Sequence, residues 1–267
     1  RNKEKDLIAF CMGLQGEISR ILAAKYGSLI TFAALDEEKL SAPGQIKVEE
    51  MKKLYHINKI NINTRITGVV GKFAENSKSK YLHNPVFNQL ELDYVYLPLK
   101  VEENELQEFM SQVKKYDFKG LAVTIPHKEQ VMKFVDKVDE TGREIGAVNT
   151  VSKDREQLLG TNTDYVGAIN ALEQEIELRG KRCLILGAGG AARAIVYGLV
   201  NNEVEVTIVN RTQERAEKLA DEFSCKTADY EQREEIASDY DIIINTTSVG
   251  MYPNQDKSIL HNFPEGA

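Results

Sequence analysis

The stretch from Cys183 to Ala194, Cys-Leu-Ile-Leu-Gly-Ala-Gly-Gly-Ala-Ala-Arg-Ala, constrains this chain more than any other. An apolar run from Arg182 to Leu186 meets a tight turn, Gly187 to Gly190, and Ala191 to Val200 follows with the pattern of a helix. A strand that turns directly into a helix calls for a crossover to a parallel neighbour, so the fold class is α/β. Glycines at 187 and 189 with alanine at 192 make the GxGxxA form. Gly187 permits the sharp turn, Gly189 lets the backbone approach a pyrophosphate, and Ala192 lets the helix pack closely on the strand. The unpaired N–H groups and positive potential of the helix start then face the phosphates. The next apolar run, Val204 to Val209, ends in Asn210, Arg211 and Thr212. An NAD site usually carries Asp or Glu at that strand end to hold the ribose hydroxyls. Here no acid repels a 2′-phosphate, Arg211 can bind one bidentately, and Thr212 can donate a hydrogen bond. The pattern predicts NADP; the competing reading of Arg211 is a solvated residue at a helix start.

Composition narrows the partners. Lys plus Arg number 34 against 41 Asp plus Glu, a formal charge of −7. That balance argues against bulk binding of nucleic acid or of an anionic membrane, while leaving room for a local phosphate pocket. The apolar run from Cys183 to Val200 is broken by four glycines and Arg193, and no run reaches the roughly 18 residues of a membrane span. Cys11, Cys183 and Cys225 are odd in number and far apart, which excludes a disulfide framework and fits a reducing compartment. The four histidines lack a Cys or carboxylate cluster at ligand spacing, so no metal is expected.

The 267 residues suggest one large domain or two ordinary ones. Residues 7–12 and 29–35 read as buried strands, 16–26 and 48–55 as helices, and 41–45 as a loop. Two strand–helix units cannot close a sheet alone, so they read as the end of something larger. A polar joint covers 56–64. Strands are then expected at 66–70, 92–99 and 121–125, with helices near 81–90, 104–116 and 128–137. A hairpin-like return follows at 146–160, then a helix over 165–178. Last come the turn already described, a helix over 212–223 with Thr212 as a plausible cap, and a strand over 241–245.

Three patches between residues 65 and 165 carry candidate chemistry. Ser77 and Ser79 can aim two hydroxyls at one carboxylate. In Val123-Thr-Ile-Pro-His-Lys128 a strand ends in proline and places Lys128 in the first turn of the next helix, where the macrodipole disfavours a cation. In Gly160-Thr-Asn-Thr-Asp164 the acid could be catalytic or an N-cap. Together with a Gly-Ala-x-Asn segment ending at Asn149, the GAGGA turn, Asn210 to Thr212 and the Asn245 to Met251 loop, these patches resemble shikimate dehydrogenase, seven motifs in order. The resemblance implies a two-lobed enzyme with a Rossmann NADP-binding lobe. It implies that Ser77 and Ser79 bind the substrate carboxylate, that Lys128 and Asp164 form the catalytic pair, and that Asn149 and Thr124 hold ring hydroxyls. NADP would be held by Gly187, Ala188, Gly189, Gly190, Ala191, Asn210, Arg211, Thr212 and Thr246. In the first loop the family often has His-Ser-x-Ser-Pro; here Asn76 replaces the histidine and Lys80 the proline, which implies altered loop stiffness rather than lost activity.

Residues 1–58 resemble a second family, the C-terminal end of type I 3-dehydroquinate dehydratase. The matching residues are Cys-Met-Gly at 11–13, Ile18 to Arg20, and Ser41-Ala-Pro-Gly-Gln45. The resemblance implies the last two β/α units of a TIM barrel, with Arg20, Ser41 and Gln45 as substrate ligands near its mouth. The family's Schiff-base lysine would lie upstream. The expected division is therefore 1–58, a substrate-binding lobe over 65–164 and an NADP lobe over 165–267. The chain would be an excerpt, missing its start and the last strand and helices of the dehydrogenase, and it opens on Arg1 rather than Met. A dehydratase followed by a dehydrogenase resembles the bifunctional enzymes of the shikimate pathway, which implies NADPH-dependent, reversible reduction of 3-dehydroshikimate to shikimate, in bacterial cytoplasm or plant plastid. The alternatives are a quinate dehydrogenase and a non-catalytic NADP-binding regulatory relative. Retention of Ser79 and Thr124 favours shikimate over quinate, and joint retention of Lys128 and Asp164 disfavours a mere binder.

Overall fold

The computed structural model describes residues 6–13, 16–252 and 254–261. The chain divides into two compact units: residues 1–127 with 151–158, and 128–150 with 159–267. The first unit begins with two short helices, α1 (Glu17–Ile21) and α2 (Val48–Lys53). The strands expected at 7–12 and 29–35 do not form; the ladder there is reduced to one bridge between Ala34 and Lys47 and one bond from Leu29 N to Leu7 O. A strand buried on both faces needs neighbours on both edges and helices above and below. Among the described residues none is supplied, and Leu7, Ile8, Met12, Leu29 and Leu35 are exposed. The helix expected over 16–26 is confined to α1, and Gly27 at φ +79° turns the chain away.

Beyond the joint the alternation of strand and helix holds. It runs β1 (Arg65–Gly71), α3 (Ser79–Gln89), β2 (Tyr94–Lys100), α4 (Leu106–Lys115) and β3 (Phe118–Val123). β1 pairs in parallel with β2 on one side and β3 on the other. Asn84 docks α3 on β2: its amide donates to the Tyr96 carbonyl at 2.9 Å and its oxygen accepts from the Tyr96 N–H at 2.8 Å. Both polar groups of a 3% exposed side chain are thus satisfied in the interior. The N-terminal segment belongs to this unit. Lys25, 1% exposed at its side chain, donates to the Ile62 carbonyl and to Asp117, both at 2.9 Å. That contact holds Asp117 below the ordinary carboxylate range, through the Lys25 hydrogen bond first and its charge second.

After β3 the chain forms β4 (Lys137–Val138) and α5 (Glu140–Ile145), then β5 (Thr150–Asp154), which extends the first unit's order to β2-β1-β3-β5. The helix expected over 128–137 is replaced by a turn and a 3₁₀ stretch, Gln130–Phe134. The Lys128 carbonyl, which a helix would use, accepts instead from Val148 N at 2.7 Å. β6 (Gln157–Thr161) closes the hairpin expected over 146–160 and leads into α6 (Asp164–Glu173). That helix stops five residues short of the expected end. Leu178 is buried all the same, in a turn completed by Gly180 at φ +73°.

The rest of the second unit follows its sequence pattern. β7 (Arg182–Leu186), α7 (Gly190–Asn201), β8 (Glu205–Val209), α8 (Gln213–Phe223), β9 (Lys226–Thr227), α9 (Arg233–Ile236) and β10 (Ile242–Asn245) build a parallel sheet of order β10-β7-β8-β9. Thr212 precedes α8 in extended conformation, but its side chain makes no capping bond, contrary to expectation. β7 is an inner strand, paired on both edges. Cys183 and Ile185 pack with Ala192, Val196 and Ile169 on one face, while Leu184 and Leu186 pack with Val209, Ala237 and Leu260 on the other. Burial on two faces explains why its apolar run is continuous rather than alternating. The end of the lobe expected over 165–267, past residue 261, lies outside the described residues. Leu184→Ala, which empties a fully buried position, is expected to cost about 2–5 kcal/mol in denaturant unfolding; an unchanged midpoint would reject this packing.

Candidate active site and cofactor-binding turn

In the second unit a lysine, a carboxylate and two amides converge. Lys128 Nζ lies 2.6 Å from Asp164 Oδ2. The other oxygen, Asp164 Oδ1, accepts from Asn149 Nδ2 at 2.7 Å. Asp164 opens α6, but the residue in the cap position is Thr163, so the acid is not the N-cap. The side chains of Lys128 and Asp164 are 17% and 30% exposed, enough for a small molecule to reach them. Lys128 stands on a turn, not in the first turn of a helix, so the expected conflict with a macrodipole does not arise. What presents it is the bond between its own carbonyl and Val148 N.

One residue of this cluster, Asn162, received no role from sequence reasoning. It is 4% exposed, donates to the Ala147 carbonyl at 2.9 Å and accepts from the Asp164 N–H at 3.0 Å. It therefore fixes the backbone that carries the acid and ties it to the segment carrying Asn149. An Asn two residues before an acid, able to close a local side-chain turn, was the available signal.

The cofactor turn lies in the same unit. Gly187 has φ +120°, and a Cβ there would stand 2.4 Å from Thr246 Oγ1. Thr246 follows β10 and returns both its N–H and its hydroxyl to the Leu186 carbonyl at 2.9 Å. Gly190, the first residue of α7, has room for no Cβ either: one would meet Lys128 Cβ at 2.7 Å. This second constraint lets the candidate catalytic lysine lie against the glycine turn. A Cβ on Gly189 would meet nothing within 4 Å, so backbone faces open space where a pyrophosphate is expected. Ala188, Ala191 and the fully buried Ala192 complete the turn. At the end of β8 Asn210 donates to the Thr212 carbonyl at 2.8 Å, and Arg211 is exposed, with no ion pair among the described residues. An open backbone cradle, a helix start and a free guanidinium fit a phosphorylated dinucleotide.

The first unit holds the other candidates. Ser77 Oγ donates to Ser79 Oγ at 3.1 Å and accepts from Ser79 N at 3.2 Å, so the two hydroxyls are side by side. The buried hydroxyl of Tyr96 lies close by; burial pushes its phenol up, and the Ser79 hydroxyl opposes that. Thr124 follows β3 with its N–H on the Val70 carbonyl at 2.9 Å. His127 beneath it is fully buried, with Nε2 2.8 Å from the Val101 carbonyl. Of the three residues matched to the dehydratase, Ser41 and Gln45 meet, the Ser41 N–H donating to Gln45 Oε1 at 2.8 Å. Arg20 is buried away from them, its guanidinium on Met12 Sδ at 3.5 Å and 4.4 Å from the Phe10 ring centre. Among the described residues no group of three or more His, Cys, Asp or Glu is placed to hold a metal, and no helix is long and apolar enough to cross a membrane.

Three family models match in succession: type I 3-dehydroquinase over residues 1–62, the shikimate dehydrogenase substrate binding domain over 69–151, and shikimate/quinate 5-dehydrogenase over 170–258. Shikimate dehydrogenase (NADP(+)) of Carboxydothermus hydrogenoformans is 38% identical over 74% of this chain and 73% of its own length. The chain belongs to the shikimate dehydrogenase family. The shikimate dehydrogenase matches are preceded by the dehydroquinase match, and the chain is 36% identical, over 94% of its length, to the chloroplastic bifunctional 3-dehydroquinate dehydratase/shikimate dehydrogenase of Arabidopsis thaliana. The chain spans 44% of that relative's length. A crystal structure of shikimate 5-dehydrogenase from Thermus thermophilus in complex with NADP(H) and shikimate superposes with a TM-score of 0.66, at 33% identity over 75% of each chain. The family's fold is thus the α/β arrangement read from the sequence, and its cofactor is NADP.

Two variants probe the geometry of this site. Gly189→Val, at a φ of −106° that valine tolerates, should leave the melting temperature in place and weaken NADP binding on the order of tenfold; unaltered affinity by titration calorimetry would show that the phosphates do not approach there. Asn162→Ala should lower kcat on the order of tenfold without changing NADP affinity, since the lost bonds hold the backbone at Asp164 and Ala147 and not the glycine turn.

Proposed function

We propose that the protein reversibly reduces the ketone of 3-dehydroshikimate to the hydroxyl of shikimate with NADPH, and that the whole protein also dehydrates 3-dehydroquinate, the preceding reaction. The observation that carries the dehydrogenase reading is the Lys128–Asp164 pair at 2.6 Å, set against the glycine turn through Gly190. Gly187 to Ala191 would hold the pyrophosphate, Asn210, Arg211 and Thr212 the 2′-phosphate, and Thr246 the near edge of the turn. When bound, the nicotinamide supplies the hydride. The chain's own residues do the rest. Ser77 and Ser79 present paired hydroxyls to the substrate carboxylate, and Thr124 and Asn149 hold ring hydroxyls. The Lys128 ammonium stabilises charge growing on the ketone oxygen and delivers the proton; in the reverse direction the lysine takes it back. Asp164 anchors the same hydroxyl and orients Lys128. Arg20, Ser41 and Gln45 belong to the dehydratase half. Retained Ser79 and Thr124 support shikimate over quinate, and a mere NADP binder has no use for Lys128 paired with Asp164 or for the buried amide of Asn162 behind it. The chloroplast address of the Arabidopsis relative and the three free cysteines support a reducing compartment, plastid or cytoplasm.

Lys128→Ala should lower kcat on the order of 100-fold or more, the range for a lost acid–base group; near-normal turnover would remove Lys128 from this role. Arg211→Ala should raise KM for NADPH far more than KM for NADH, and equal effects would reject the 2′-phosphate assignment. A kcat/KM for shikimate below that for quinate would overturn the choice of substrate.

A further inference from the structure

We propose that Glu50 and Lys80 form a clamp through which the dehydroquinase-type segment positions the serine loop of the dehydrogenase. Lys80 follows Ser79 directly and is the second residue of α3. A cation in the first turn of a helix is disfavoured. Lys80 is compensated from another element: its Nζ donates to Glu50 Oε1 of α2 at 2.8 Å, with side chains only 12% and 22% exposed. The aromatic rings of Tyr81 and Tyr55 stand 5.2 and 5.9 Å from the ammonium. The carboxylate of Glu17, on α1, faces the same charge and is pushed up by burial while Lys80 pulls it down. Lys80 is therefore enclosed by three residues of the upstream segment, Glu17, Glu50 and Tyr55.

This is a shielded ion pair that spans 30 residues of sequence, unlike the exposed Lys53–Glu49 pair one turn apart on α2. Screening by water weakens the second kind and spares the first. The side chain at 80 is thus tied down from outside its own helix. The tie also reaches back to the other candidate site, because α2 starts three residues after Gln45. The segment next to the serines thus gains its order from the neighbouring module, which makes Lys80 a positioning residue for carboxylate binding rather than a contact to substrate.

The inference rests on the dehydrogenase reading above, and the test separates the two. In the full-length protein, Lys80→Met and Glu50→Gln should each raise KM for shikimate roughly three- to tenfold, with kcat and KM for NADP unchanged. The double variant should be no worse than the worse single one, since both remove the same contact. Lys80→Arg, which keeps the charge, should stay near the parent. Amide hydrogen exchange over residues 77–81, measured without any ligand, should speed up in Lys80→Met and not in Lys80→Arg. An unchanged KM in Lys80→Met, additive effects in the double variant, or unaltered exchange would each overturn the clamp. If the parent fails to turn over shikimate while exchange responds as stated, the functional reading falls and the clamp stands.

Discussion

The second unit depends on space that two missing side chains leave. At Gly187 a Cβ would collide with Thr246, and at Gly190 with Lys128. The first absence lets the loop after β10 close over the end of β7; the second lets a lysine from a distant turn rest on the start of α7. Loop closure over β7, the open backbone of the turn and the position of Lys128, the proposed proton donor, therefore share one cause, steric permission at a four-residue turn. A methyl group added at Gly187 meets Thr246, and one added at Gly190 meets Lys128.

How much of this was legible follows the range of the interactions. The turn, β7, α7 and β8 are written in contiguous patterns, because each strand is buried on both faces and each helix has one apolar stripe. Ser77 with Ser79, and Lys128 with Asp164 and Asn149, could be named through ordered motifs, although no spacing rule predicts a contact across 36 residues such as Lys128 to Asp164. The misplaced helix at 128–137 has a local pattern that a long-range bond from Val148 overrides. Asn162 is not legible because its amide acts on the backbone of Ala147, 15 residues away in sequence.

The N-terminal segment shows the converse. Residues 7–12 and 29–35 have the composition of buried strands, and the expectation failed because a parallel strand is a property of its neighbours. Yet two contacts fix part of the segment: the buried ammonium of Lys25 meets the largely exposed carboxylate of Asp117, and Glu50 meets Lys80 in a shielded pair. Neither is readable from sequence, since each partner alone looks like one more solvated charge. The two family likenesses meet in one compact unit rather than across a slack linker.

The carboxylate of Asp164 has a consequence that can be counted in lone pairs. Two donors approach it, the Lys128 ammonium at Oδ2 and the Asn149 amide at Oδ1. Both ends of the group must therefore be acceptors at once. An asparagine of the same shape offers an acceptor at one end only and would turn its own N–H groups on one of the two donors. A glutamate has the right ends on a longer stem. The identity of residue 164 is thus decided by hydrogen-bond parity before any chemistry on a substrate is considered, and shape alone would not distinguish aspartate from its amide.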